Sequence, residues 1–259
     1  MVKFLLVGDT SVRLEIELKG NDAEFFVAPA VRQTFLTNAI EKSGKVKVTH
    51  MGVETALADF PRTIEGLREY DVIMFTDVDS DAFQLYPDFM RTKVPLGPNR
   101  LKLVEQFVNE GGAFIMGGGY ASFSGRRCIG NYFNTPIDKL LPVTIYPYDD
   151  RAEWPEGFHG NVVDANHPCV KDLSWDKADF MFLGYNRTKL KPGAKLLAEF
   201  EGDPIIAVWE YGSGRVMAFT PDPQPHWCGT FKDWEGYGPF WVQSVLWLTK
   251  KEKDSVGPL

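Results

Sequence analysis

The sequence lacks a basic face: 28 lysines and arginines stand against 35 acids, a formal net charge of -7 over 259 residues. Binding a phosphate backbone needs concentrated positive charge, so a nucleic-acid partner is not expected. The one dense basic cluster opens "KKEKDSVGPL" at the C-terminal end and reads as a solvated tail. Cysteine is scarce. Cys128, Cys169 and Cys228 are odd in number and show no CxxC spacing, so neither a disulfide framework nor a zinc knuckle is indicated. No metal and no cofactor is called for. No apolar run approaches the length that crosses a bilayer. "MVKFLLVGD" enters a strand-like run too short and wrongly bounded for a signal peptide, so no membrane partner and a cytoplasmic location are expected. Repeats and low-complexity linkers are missing too. With 44% hydrophobic residues, the length fits one domain over residues 1–259.

Within that frame, residues 1–142 alternate strand-like and helix-like segments. "KFLLVG" (3–8) is a short apolar run typical of a buried parallel strand, and "RLEIELKG" (13–20) alternates as a half-exposed strand does. Residues 29–43 put Val31, Phe35, Leu36, Ala39 and Ile40 on one face of an expected helix, with Pro29 at its entrance. "KVKVTHM", "DVIMFTDV" and "AFIMGGG" read as further strands. "FPRTIEGLREY" reads as a short helix, and "NRLKLVEQFVNEGG" as the clearest one, with Leu101, Val104, Phe107 and Val108 on one face. Such alternation makes a parallel sheet with helices on both faces, whose ligands bind beyond the C-terminal strand ends. Asp9, Asp77 and the glycine turn at 117–119 all fall at that edge.

Residues 143–259 have a different texture, a β-rich extension closed by a helix near 238–251 that carries Trp241, Val245 and Leu248. "DPIIAVWEYGSGRVMAFT" is a hairpin around "YGSG".

Three stretches carry a family resemblance: "GGAFIMGGGYASFSG", "NTPIDKLLPV" and "GYNRTKLKPGAKLLAEFEGDPIIAVWEYGSGRVMAFTPDPQPHWCGTFKDWEGYGPFWVQSVLWL". Together with "EYDVIMFTDVDSDAF" and "PNRLKLVEQFVNEGGAF", they make the chain resemble the glutamine amidotransferase-like family. This is a branch of the class I glutamine amidotransferase-like superfamily, related in fold to the trehalose-utilisation proteins. The resemblance implies an α/β, flavodoxin-like three-layer fold with a mostly parallel central sheet, and antiparallel strands added in the C-terminal half. It also implies a cysteine in a G-x-C-x-G elbow and a late His-x-Glu pair, the machinery that activates a thiolate. Here the elbow reads Gly117, Gly118, Gly119, Tyr120, Ala121, with no thiol and no hydroxyl at its apex. Glutamine hydrolysis by a thiolate is therefore not expected. His226 stands where the superfamily histidine belongs, but Cys228 occupies the glutamate position.

Two readings follow. In the first, the chain is a hydrolase- or isomerase-type enzyme on a small polar, carbohydrate-like molecule. His226 is its acid/base and Asp222 the orienter. The backbone amides of Gly118, Gly119 and Tyr120 form an anion or oxyanion pocket, and Tyr120 and Ser122 open a helix after the glycines. Ser122 is a weaker candidate nucleophile, because no Gly-x-Ser-x-Gly surrounds it. Asp77 faces the crevice, Arg126 meets an anionic group, and Trp227 offers an aromatic face. Asp77, Asp79, Asp81 and Asp88 imitate the spacing of a calcium loop, but Ala82 replaces its glycine. The second reading is a non-catalytic binding or assembly domain, with a small-molecule ligand or a homo-oligomer as partner.

Overall fold

The computed structural model describes residues 1–31, 34–93 and 97–252. In chain order the strands are β1 (Val2–Gly8), β2 (Thr10–Lys19), β3 (Asp22–Val31), β4 (Val46–Met51), β5 (Val72–Thr76), β6 (Ala113–Gly117) and β7 (Val143–Ile145). They continue with β8 (Arg151–Phe158), β9 (Asn161–Val162), β10 (Phe182–Asn186), β11 (Thr188–Leu190), β12 (Lys195–Phe200), β13 (Asp203–Tyr211) and β14 (Gly214–Phe219). The helices are α1 (Thr34–Glu41), α2 (Val53–Asp59), α3 (Ile64–Leu67), α4 (Asp81–Gln84), α5 (Pro87–Thr92), α6 (Arg100–Asn109), α7 (Pro136–Leu140) and α8 (Tyr237–Leu248).

Among the described residues, one large sheet runs β4-β1-β5-β6-β14-β13-β12-β9. From β4 to β14 every neighbour is parallel, and from β14 outward the pairing turns antiparallel. β13 and β14 are the expected hairpin, and β14 reaches back to pair with β6 at the sheet centre. The fold is thus the expected α/β one, mostly parallel with antiparallel additions in its C-terminal half.

β1, β5 and β6 read as continuous apolar runs because both sheet faces are covered. Phe4, Leu6, Met74, Ile115 and Met217 point to one core with Leu36 and Ile40 of α1 and much of α8. Leu5, Val7, Ile73, Phe75, Phe114 and Met116 point to the other, beneath α2, α4, α6 and α7. The two-residue period of the strands sorts these side chains between layers. In α6, Asn99 caps the first turn by accepting from the amides of Leu101 and Lys102, and the predicted apolar face is buried. Arg100 is buried as well. Its guanidinium donates to the carbonyls of Leu57, Ala82, Phe83 and Leu85, so one cation closes the C-terminal ends of α2 and α4.

Residues 29–43 depart from the expectation. The helix begins at Thr34, and residues 29–31 end β3. Phe25, Phe26 and Val27 supply β-prone residues in register with β2, so the strand carries on past the proline. Leu36 and Ile40 are buried, whereas Phe35 is exposed. The side chain of Val31 lies outside the described residues, as do residues 253–259 of the tail.

Among the described residues β2 and β3 pair only with each other, from Thr10 opposite Val31 to Lys19 opposite Asp22. This two-stranded ribbon leaves the sheet at Asp9, at the same edge as Asp77 and the glycine turn.

Candidate functional site

The glycine turn follows β6 and lies against the exit of β14. A Cβ on Gly118 would sit 1.9 Å from the Thr220 carbonyl oxygen, and one on Gly119 would meet Asp77 at 3.0 Å. These glycines are therefore required by the close approach of the protein's own backbone. The amide of Gly118 donates to the carbonyls of Phe219 (2.8 Å) and Pro221 (2.9 Å), and that of Gly119 to Asn186 Oδ1 (3.0 Å). The expected anion pocket of amides 118–120 is thus corrected at two of its three positions, which serve internal acceptors.

No helix opens after the glycines, which corrects a second expectation. Buried and half-buried carboxylates take the amides that a helix would have used. Ala121 donates to Asp77 Oδ1 at 2.8 Å, and Ser124 and Gly125 donate to the two oxygens of Asp150, each at 2.9 Å. Phe123 at φ 52° and Gly125 at φ 71° turn the chain out of helical geometry, and only a short 3-10 turn forms at Arg126–Cys128. Asn186 joins the two halves of this loop: its Nδ2 donates to Asp150 Oδ1 at 2.8 Å while its Oδ1 receives Gly119. Burial pushes the Asp150 carboxyl up to about 6, against the opposing pull of the Asn186 amide and the Ser124 and Gly125 amides.

Ser122 is fully buried, and its Oγ accepts from the backbone amide of Asp77 at 2.9 Å. A nucleophile must present its oxygen to substrate, so the catalytic role expected for Ser122 is corrected to a strut under the turn. Asp77, expected to face a ligand, clamps the turn from the other side. Asp79 Oδ1 accepts from the amide of Ala82, at the start of α4. Asp222 is buried and its Oδ1 accepts from the Gln224 amide at 2.8 Å.

The loop after β14 does come over the turn. The His226 ring lies edge-on to the Tyr120 ring at 4.6 Å between centroids, and Trp227 lies edge-on to it at 5.3 Å. His226 is exposed and its backbone sits at φ 148°, an uncommon conformation for a residue with a Cβ. Trp227 is buried and packs on Gly184, where a Cβ would meet the indole at 2.3 Å. Arg126 lies over the Tyr120 ring at 5.2 Å.

Two members of this cluster were not picked out in the sequence. Glu153 of β8 accepts from the Tyr120 hydroxyl at 3.0 Å through one oxygen and from the Trp227 indole at 2.9 Å through the other. Arg151 lies over the Tyr120 ring at 5.4 Å and forms a two-pronged pair with Asp149. The arginine holds the Asp149 carboxyl far below the usual range, and burial, then Glu153, raises the Tyr120 hydroxyl. The signal was the unusual "DDRAE" (149–153), whose charges are dense for an emerging strand.

The thiols do not supply the missing nucleophile. Cys128 is exposed beyond the turn, and Cys169 and Cys228 are buried, which pushes both far above the ordinary thiol range.

The family model described as "Putative glutamine amidotransferase" matches residues 3–250. A solved cytoplasmic protein of Salmonella typhimurium is 31% identical, with a TM-score of 0.88 over 95% of this chain and 99% of its own. A second, from S. typhimurium LT2, is also 31% identical, with a TM-score of 0.85 over 95% of this chain and 99% of that one. A ThuA-like protein of Bacteroides uniformis shares the fold at 15% identity, with a TM-score of 0.53 over 98% of this chain and 93% of its own. No curated protein matches.

Proposed function

The chain belongs to the glutamine amidotransferase-like family, and from that premise we propose that it is a ligand-binding member without glutaminase activity. Its ligand is a small polar, carbohydrate-like metabolite held on the surface around Tyr120, Glu153 and His226. One observation carries this reading: Tyr120 gathers the His226 ring, two guanidinium groups and a carboxylate around itself. Meanwhile the turn amides at 118 and 119 that would serve acyl chemistry are consumed internally. Arg126 and Arg151 suit an anionic group, and the ring edges and the Glu153 carboxylate suit hydroxyls. A cytoplasmic location is part of the proposal. Both Salmonella relatives are cytoplasmic proteins, and among the described residues no helix is long and apolar enough to cross a membrane.

The test is a thermal-shift and calorimetric screen of neutral sugars, sugar acids and sugar phosphates against wild type, Arg126→Ala and Tyr120→Ala, alongside ammonia release from glutamine. The expected outcome is a saturable ligand that both variants weaken at least tenfold, with no ammonia above background. Thiol-dependent ammonia release, or binding indifferent to both variants, overturns the reading.

A catalytic version of the same site is favoured by the backbone of His226, since strained residues cluster where a side chain is held for chemistry. It predicts that His226→Ala abolishes turnover of the screened ligand while leaving its affinity within about threefold.

A further inference from the structure

We propose that the β2–β3 ribbon is a self-association arm, whose apolar face packs against the same face of a second copy of this chain across a two-fold axis. The inference is independent of the ligand reading. At about 3.3 Å per residue, ten paired positions make an arm roughly 33 Å long. Every described side chain from Leu14 to Val27 is exposed. The register sorts them cleanly. Leu14 opposes Val27, Ile16 opposes Phe25 and Leu18 opposes Ala23 on one face, while Glu15, Glu17, Lys19, Asp22, Glu24 and Phe26 take the other. The first face carries no charge, yet Leu18 is 75% exposed, Val27 69% and Phe25 67%.

Physical chemistry makes such an arm incomplete. An isolated two-stranded ribbon is marginal in water, and an antiparallel sheet with strict alternation has one face covered. A second copy meets the requirement. An isologous contact needs only one patch that fits itself, and here Phe25 and Ile16 form the centre, with the smaller Ala23 beside Leu18 towards the tip. With roughly 100 Å² exposed on each of the five large side chains, one face offers about 500 Å² and two bury about 1,000 Å², the lower bound for a biological interface and the size of a weak, concentration-dependent dimer. The charges point away from the contact, so no like charges meet. Between residues 14 and 27 the polar face carries four acids against Lys19, which disfavours an anionic membrane surface or nucleic acid as the occupant.

The test is sedimentation velocity of the full chain across the micromolar range, for wild type, Phe25→Lys and the opposite-face control Glu17→Lys. A dimer is expected for wild type and control, and a dissociation constant raised roughly a hundredfold or more for Phe25→Lys. Unchanged circular dichroism establishes that the lysine variant is folded. Should it not fold, Ile16→Cys in a Cys128→Ser background is treated with a short bis-maleimide, and efficient cross-linking to a dimer supports the arm. A monomeric wild type overturns the proposal, as does an oligomer indifferent to Phe25→Lys. A monomer that partitions onto phosphatidylcholine vesicles overturns it too, and reassigns the face to lipid.

Discussion

The turn after β6 and the β2–β3 ribbon leave the same edge of the sheet in opposite states. In the turn, carboxylates and a buried amide meet the backbone groups from inside the molecule, and even Ser122 is spent as an acceptor. The ribbon satisfies its backbone through its own ladder but leaves an apolar face bare. Under the two proposals, binding falls to the ring cluster beside the turn and to the ribbon face, and the elbow itself takes no part.

Asp150→Ala breaks this comparison most severely. It strands the Ser124 and Gly125 amides and the Asn186 side chain in a buried site, and at about 1–3 kcal/mol for each orphaned group the loss is expected to reach about 3–5 kcal/mol in urea unfolding. Gly118→Ala is next. Its methyl has no room against the Thr220 carbonyl, so a loss of about 3 kcal/mol is expected. Gly20→Ala, at the ribbon's tip, meets nothing within 4 Å and suffers only from φ 62°, so about 1 kcal/mol is expected. Similar losses at both glycines would erase the contrast.

The pH dependence sharpens it further. The folded-state pKa of Asp150 is raised to about 6 from an unfolded value of 3.8, so its contribution is fully present below about 3.8 and is lost as pH rises through 6. The stability of wild type minus that of Asp150→Asn should therefore grow as pH falls from 7 towards 4. Buried His167 runs the other way: burial lowers its pKa to about 4, so its contribution is lost as pH falls through 4. The pairwise difference cancels it. A flat difference would mean that Asp150 keeps its charge in the fold.

The smallest expected effect is at the ribbon. Phe25→Ser should change the unfolding free energy of the dissociated chain by less than about 0.5 kcal/mol, while buried Phe114→Ala costs about 3–5 kcal/mol. A large loss from Phe25→Ser at low protein concentration would mean that the ribbon is packed within its own chain.

Much of the architecture was already legible in local patterns. β1, β5 and β6 are apolar runs, α6 carries a 3.6-residue stripe behind a capping asparagine, and β13–β14 alternate around a glycine turn. These signals are local because each element must bury a face on its own period. The absence of an elbow cysteine was equally plain. What misled was also local: Val31, Phe35 and Leu36 imitate one helical stripe although a strand ends within it, and a glycine turn was expected to start a helix.

The parallel sheet, its covering layers and the absence of an elbow thiol all follow from residue type and period. Only the tertiary structure decided what the glycine turn can bind. The amides of Ala121, Ser124 and Gly119 are claimed by Asp77, Asp150 and Asn186, which lie 44, 26 and 67 positions away in the chain. It also decided that Glu153 and Arg151 join Tyr120, and that the alternation of residues 14–27 faces solvent rather than a core. A residue's own identity does not state its partner across such separations; the sheet topology that brings strand ends together does.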